Sequence, residues 1–200
     1  MTTQTTQDLL ALYKELESTT ALSTWWPADS RYEIIVGAVL TQNTSWRNVE
    51  TAIAQLKAAD ALDPHTLLEL PLPRLQELIY SAGFYRVKTT YLREATQWFV
   101  DNDAEARSWD TARLRKSLLS VRGIGDETAD SIALYVYQRP LFIYDLYARR
   151  LLASRGFGSF PNYKAAKRAL DQHLPVLSAA EFGTFHGLIV DHSKQAAGRM

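Results

Sequence analysis

Residues 117–150, SLLSVRGIGDETADSIALYVYQRPLFIYDLYARR, constrain the fold of this chain more than any other stretch. Leu114, Leu118 and Val121 fall at helical spacing, and Gly123-Ile124-Gly125 interrupts them. Ala129, Ile132, Ala133 and Val136 then resume the same period, so the stretch reads as helix, hairpin, helix. Two glycines let the backbone turn sharply, while Ile124 anchors the turn to the core. The hairpin's free N–H groups and the positive end of the next helix form a site suited to a phosphate. Further on, Asp145 stands among Phe142, Ile143, Tyr144, Leu146 and Tyr147. A carboxylate in so apolar a setting either caps a helix or serves chemistry.

Composition sets the bounds. With 200 residues and 46% hydrophobic content, the chain can bury a substantial core in one domain or two small lobes. No apolar run is long enough to span a membrane and no secretory leader is seen, so the expected location is the cytoplasm. The opening MTTQTTQ is polar and is expected to fray. There are no cysteines, which excludes disulfides and thiolate-held metal or iron–sulfur centres. Lys+Arg and Asp+Glu both number 22, whereas a DNA-binding domain is often clearly basic. Residues 107–155 nevertheless carry nine basic side chains against five acidic ones, a local excess that can meet phosphates.

The rest of the chain reads as helices. Residues 8–17 place Leu9, Leu12, Tyr13 and Leu16 on one side. The tryptophans of Thr24-Trp25-Trp26-Pro27 precede a proline and belong in a loop or turn, although large aromatics commonly pack in cores. Residues 32–40 are apolar nearly all round, a central buried helix ended by the polar cluster 41–46. Residues 48–59 turn Val49, Ile53 and Leu56 inward, and Asp63-Pro64 supplies an N-cap and a first-turn proline. Pro71 and Pro73 bracket another start, running to Ser81. Gly83 ends it, a longer helix covers 85–100, and 101–109 reads as a polar connector. After a loop at Gly156-Phe157-Gly158, Asn162 caps a helix through Asp171. Ser178 and Glu181 have capping-box spacing and open a last helix with Phe182, Phe185, Ile189 and Val190 inward. No repeat, strand-like alternation or low-complexity tract is present, and the fold class is all-α. His186 and His192 have no carboxylate or thiolate at metal-ligand spacing, so no metal role is expected for them.

GIGDETADSI followed by IYDLYARRL resembles the helix-hairpin-helix and catalytic-aspartate segment of the endonuclease III superfamily of DNA glycosylases. YEIIVGAVLTQNTSW resembles that superfamily's buried helix and following loop, and GFYRVK resembles its next loop and helix start. LTQNT, the upstream WWP and FHGLIVDHSKQ are most similar to the 3-methyladenine DNA glycosylase III branch. The resemblance implies one two-lobed helical glycosylase domain over 1–200, without the iron–sulfur loop of many relatives. Lobe one would cover about 31–140, with the helix-hairpin-helix at 112–137, and lobe two 1–30 plus 141–200.

Site roles follow from the same resemblance. Asp145 would be catalytic. Trp25, Trp26, Pro27 and Trp46 would line a base pocket, with Glu127 near it and Lys194 beside its entrance. Gln42 would fill the gap left by a flipped base, with Asn43 beside it, and Lys88, Arg122, Gly123, Gly125 and Thr128 would meet DNA. Blander readings stand next to these. Gln42 and Asn43 can simply end a helix, Lys88 can be a solvated surface lysine, and Lys194 can complement a helix dipole. The implied partner is double-stranded DNA with a damaged base, with no membrane and no obligatory protein partner. No cofactor is expected, a monovalent cation at the hairpin being the one ion the motif could hold.

The chemistry matches these residue types. Cleavage of an N-glycosidic bond passes through an oxocarbenium-like sugar, as other glycoside hydrolyses do. An ionised Asp145 can stabilise that charge and orient or deprotonate the attacking water. Reaching a base inside a duplex requires flipping it out, which favours damaged, weakly paired bases. Bifunctional relatives carry a lysine at the position of Glu127, and a glutamate cannot form their Schiff base. A monofunctional base excision repair glycosylase that leaves an abasic site is therefore expected. A cationic N-alkylpurine such as 3-methyladenine suits indole faces through cation–π stacking. Two other functions remain open: a glycosylase for an oxidised or mismatched base, and a non-catalytic helix-hairpin-helix module. The second would have no need of Asp145 or a tryptophan-lined cavity.

Overall fold

The computed structural model describes residues 2–22 and 25–197. Met1 of the expected frayed segment and Thr24 of the tryptophan loop lie outside the described residues. Among the described residues every regular element is helical. In order they are α1 (Thr2–Thr19), α2 (Arg31–Leu40), α3 (Trp46–Ala58), α4 (Pro64–Glu69), α5 (Leu72–Leu78), α6 (Tyr85–Ala106), α7 (Thr111–Leu119), α8 (Asp126–Tyr135), α9 (Leu146–Ser154), α10 (Tyr163–Leu170) and α11 (Ala179–Ala197). Short 3-10 turns follow α5 and α10, at Tyr80–Ala82 and Asp171–His173. None of these helices is long and apolar enough to cross a membrane. The chain divides into a continuous unit, Ala28–Tyr137, and a unit built from both ends, Met1–Pro27 with Gln138–Met200. These divisions fall three residues before each boundary read from the sequence.

The continuous unit is organised around α2. Ser30 caps it by accepting from the Glu33 N–H at 3.1 Å. Tyr32, Ile35, Val36, Val39 and Leu40 are buried, and the helix packs against α3, α6 and α8. An all-round apolar helix is stable only inside a core, which is where α2 lies. Its carboxylate Glu33 is buried too, and pairs with Lys57 at 2.8 Å while accepting from the Asp29 N–H at 2.8 Å. A buried charge persists when it is paired and hydrogen-bonded in this way.

The supposed connector at 101–109 is helical through Ala106, a correction with a visible cause. Asp103 accepts from Arg31 at 2.9 Å, Arg107 at 2.9 Å and the Tyr137 hydroxyl at 3.0 Å. Burial alone would raise the Asp103 carboxyl, but these donors hold it below the usual carboxylate range. The polar residues there face a charge network, so their polarity does not mark a loop.

In the terminal unit α11 packs on α1 and α9 over Leu9, Leu16, Phe142, Leu152, Phe182 and Phe185, all buried. Helix α1 begins at Thr2, seven residues before the apolar stripe does, and Gln4 donates to Asp8 at 2.8 Å across one turn. The expected fraying of the polar opening is thus overturned for its described residues. The capping box at α11 forms as read: the Ser178 N–H donates to Glu181 at 2.7 Å, and the Glu181 N–H to Ser178 at 3.2 Å. Arg155, just past α9, grips Glu15 of α1 with two hydrogen bonds of 2.8 and 2.6 Å.

Candidate active site

The continuous unit holds the hairpin. Helix α7 ends in a turn in which the Val121 N–H donates to Leu118 and the Ile124 N–H to Val121, each at 3.1 Å. Gly123 has φ +91°, a conformation that an L side chain resists, and Ile124 is buried as the anchor. Arg115 of α7 clamps the following helix, donating to Asp126 at 2.5 Å and Asp130 at 2.6 Å. The N-cap of α8 is Gly125, which brings no side chain of its own to the first-turn N–H groups. Arg122, Gly125 and Glu127 are exposed around that end.

One side chain fastens a neighbouring loop to this hairpin, and a second braces the loops beside it. Gln42 donates through Nε2 to the Gly123 carbonyl at 2.9 Å and to the Thr128 hydroxyl at 3.1 Å. Thr128, expected to meet DNA, is buried, and its hydroxyl serves Gln42. Lys88 requires a fuller correction. It is 2% exposed, and its ammonium donates to the carbonyls of Leu40 and Ala82 at 2.8 Å each. It is neither a DNA contact nor a solvated surface lysine. It ties the end of α2 to the turn before α6, so the loops that begin there share one anchor.

Asn43 is exposed with φ +53°, a left-handed conformation that asparagine tolerates well. Phe84, which sequence reasoning passed over, has φ +47° and is 66% exposed. A bulky residue so placed is strained and unpacked, and only its backbone angle reveals it.

Burial pushes the Lys88 ammonium down to about 8. An unfolded lysine keeps its proton to about 10.4, so between these values the unfolded chain binds more protons. Stability is therefore expected to rise with pH from about 8 towards about 10. The wild-type minus Lys88→Met difference in urea midpoint, followed across that window, isolates this contribution. A difference that stays flat with pH would contradict it.

The terminal unit holds the carboxylate. Asp145 is the N-cap of α9, and its Oδ1 accepts from the Ala148 N–H at 2.7 Å. Its helix-capping reading is thus correct, but capping engages only one oxygen. Oδ2 lies 3.3 Å from His186 Nε2 of α11. The sequence shows no carboxylate at metal-ligand spacing from His186, and among the described residues no group of three or more His, Asp or Glu could hold a metal. Its carboxylate partner lies 41 residues away, beyond the reach of any spacing rule.

Trp25 meets the His186 ring edge-on at 5.1 Å and Trp26 at 6.5 Å. Trp26 has φ +49°, a strained conformation directly before Pro27. Pro27 and Lys194 are exposed in this unit. Trp46 belongs to the other unit, where its indole N–H donates to Glu50 at 3.0 Å. Asp145, Trp25, Trp26, Pro27 and Lys194 thus share the terminal unit, while Gln42, Asn43, Trp46, Glu127 and the hairpin share the continuous one.

Comparison with known proteins places this geometry. The family model for HhH-GPD superfamily base excision DNA repair proteins matches residues 36–175. A Methanocaldococcus jannaschii protein named as a candidate DNA repair glycosylase is 40% identical over 190 residues, covering 92% of this chain and 86% of that protein. The crystal structure of H. pylori 3-methyladenine DNA glycosylase (MagIII) bound to 1,N6-ethenoadenine superposes with a TM-score of 0.73 at 25% identity, over 96% of this chain and 98% of that one. A non-covalent endonuclease III–DNA complex gives 0.74 at 20% identity, over 92% and 84%, a likeness of fold. The chain belongs to the HhH-GPD superfamily of base excision DNA repair proteins and is a DNA glycosylase of that family.

Proposed function

We propose that the protein is a monofunctional glycosylase that removes N-alkylated purines such as 3-methyladenine from duplex DNA. The observation that carries this reading is Asp145, whose carboxylate caps α9 with one oxygen and keeps the other beside His186. A carboxylate fixed in that way needs no reorganisation as positive charge develops on the sugar. It can also accept a proton from the attacking water. Trp25 and Trp26 supply half-buried indole faces in the same unit, and such faces favour a cationic base. Alkylation makes the purine a good leaving group, so little acid catalysis is required. The likeness to the H. pylori enzyme supports the same substrate class.

Duplex binding is assigned to the continuous unit. The glycine-capped N-terminus of α8 and the exposed Arg122 suit a phosphate. Gln42 would exchange its bonds to Gly123 and Thr128 for the partner of the flipped base. Phe84 presents an exposed ring on the neighbouring turn, suited to wedging into a base step.

Glu127 carries no amine, so no imine with the opened sugar can form there. Borohydride added during turnover is therefore expected to trap no protein–DNA adduct, with strands staying intact until alkali is added. Strand scission that keeps pace with base release would contradict the monofunctional reading.

A further inference from the structure

We infer that His186 is a positioning residue for the Asp145 carboxylate and for the Trp25 indole together, an inference that rests on the catalytic reading of Asp145. Three observations converge on adjacent residues of α11. His186 is 5% exposed, and its Nε2 lies 3.3 Å from Asp145 Oδ2. The edge-on contact with Trp25, at 81°, sets the plane of the imidazole against the indole. The next residue, Gly187, has no side chain where one would overlap Trp25, since an added Cβ would stand 2.8 Å from the indole Cγ.

Helix α11 therefore seats the indole on a glycine and holds it with a histidine that also reaches the carboxylate. The Ala148 N–H fixes Oδ1, and a donor at Oδ2 would fix the second oxygen and so the plane of the group. With Nε2 carrying the hydrogen, His186 donates to Asp145 and leaves its negative charge intact. At 3.3 Å the contact is longer than the roughly 2.7–2.9 Å of a strong charge-assisted bond, so its part is to orient the carboxylate. His186 need touch neither sugar nor base: it orients the oxygen that does.

The test compares single-turnover base release and abasic-duplex affinity for wild type, His186→Phe, His186→Gln, Asp145→Asn and the Phe/Asn double variant. The substrate is whichever damaged base the wild type releases, beginning with 3-methyladenine. Phenylalanine keeps the aromatic edge against Trp25 and removes the donor. Its rate is expected to fall about 10- to 100-fold with unchanged DNA affinity. Glutamine, whose amide reaches the Nε2 position, should restore much of that loss. On the Asp145→Asn background His186→Phe should cost little more, because its partner has already lost its charge.

A wild-type rate in His186→Phe, or a loss that persists in full on Asp145→Asn, would overturn the inference and leave the catalytic reading standing. A wild-type rate in Asp145→Asn itself would instead overturn the catalytic reading, and the inference with it. Should His186→Phe not fold, His186→Gln and His186→Asn decide, since asparagine places its amide short of Oδ2. Equal rates for those two would overturn the positioning role.

Discussion

Replacing Asp145 with asparagine is expected to slow base release about 10²- to 10³-fold or more while leaving duplex binding intact. The substitution separates two functions of one side chain. Asparagine ranks with aspartate as an N-cap, so the bond from the Ala148 N–H survives and the melting temperature should move little. The negative charge does not survive, and with it goes the stabilisation of the developing sugar cation. Alanine would confuse the result, because losing the cap destabilises by about 1 kcal/mol. Base release by chromatography and duplex affinity by fluorescence anisotropy check the two halves of the expectation. A parallel loss of affinity and rate would mean that Asp145 serves the fold or the DNA grip rather than the chemistry.

Gly123→Ala is expected to be the most damaging single substitution in the hairpin. The residue sits at φ +91°, and an added Cβ would stand 2.1 Å from Tyr91 Cγ and 2.4 Å from Cδ1. Left-handed strain contributes about 1–2 kcal/mol and overpacking about 1–3 kcal/mol. A total of about 3 kcal/mol corresponds to a fall in Tm of about 6–12 °C for a chain of this length. Gly125, two residues on, is the natural control. Its φ is −91° and an added Cβ meets nothing within 4 Å, so Gly125→Ala should melt close to wild type. A phosphate approaching the α8 N-terminus would still meet the new methyl, so Gly125→Ala is expected to weaken DNA binding without unfolding. Equal melting losses in the two variants would contradict the distinction.

The difference between those glycines shows where sequence reading stops. Both belong to a legible motif, but only the Tyr91 contact tells which one the fold cannot change. Local chemistry was readable throughout. Asp63, Asn162 and Ser178 cap as expected, because capping depends on residues two to four positions apart. The all-α class followed from helical periodicity with no strand-like alternation, and the buried α2 from a surface apolar nearly all round. What escaped was pairing over distance. Lys88 reaches a carbonyl 48 residues back, Arg31 reaches Asp103 72 residues ahead, and Gln42 meets Gly123 81 residues ahead. Without their partners, Lys88 looks like a DNA contact or a solvated lysine, Gln42 like a residue free to enter a duplex, and the stretch around Asp103 like a connector. The same limit hid the pairing of His186, which has no carboxylate at metal-ligand spacing in the sequence and meets Asp145 only in the fold.

The most direct test of the proposed function is to incubate the wild-type protein with methylated duplex DNA and identify the free bases by chromatography. The expected result is release of 3-methyladenine, with the strand unbroken until alkali is added. Failure to release any methylated purine, with an oxidised or mismatched base released instead, would contradict the alkylpurine assignment.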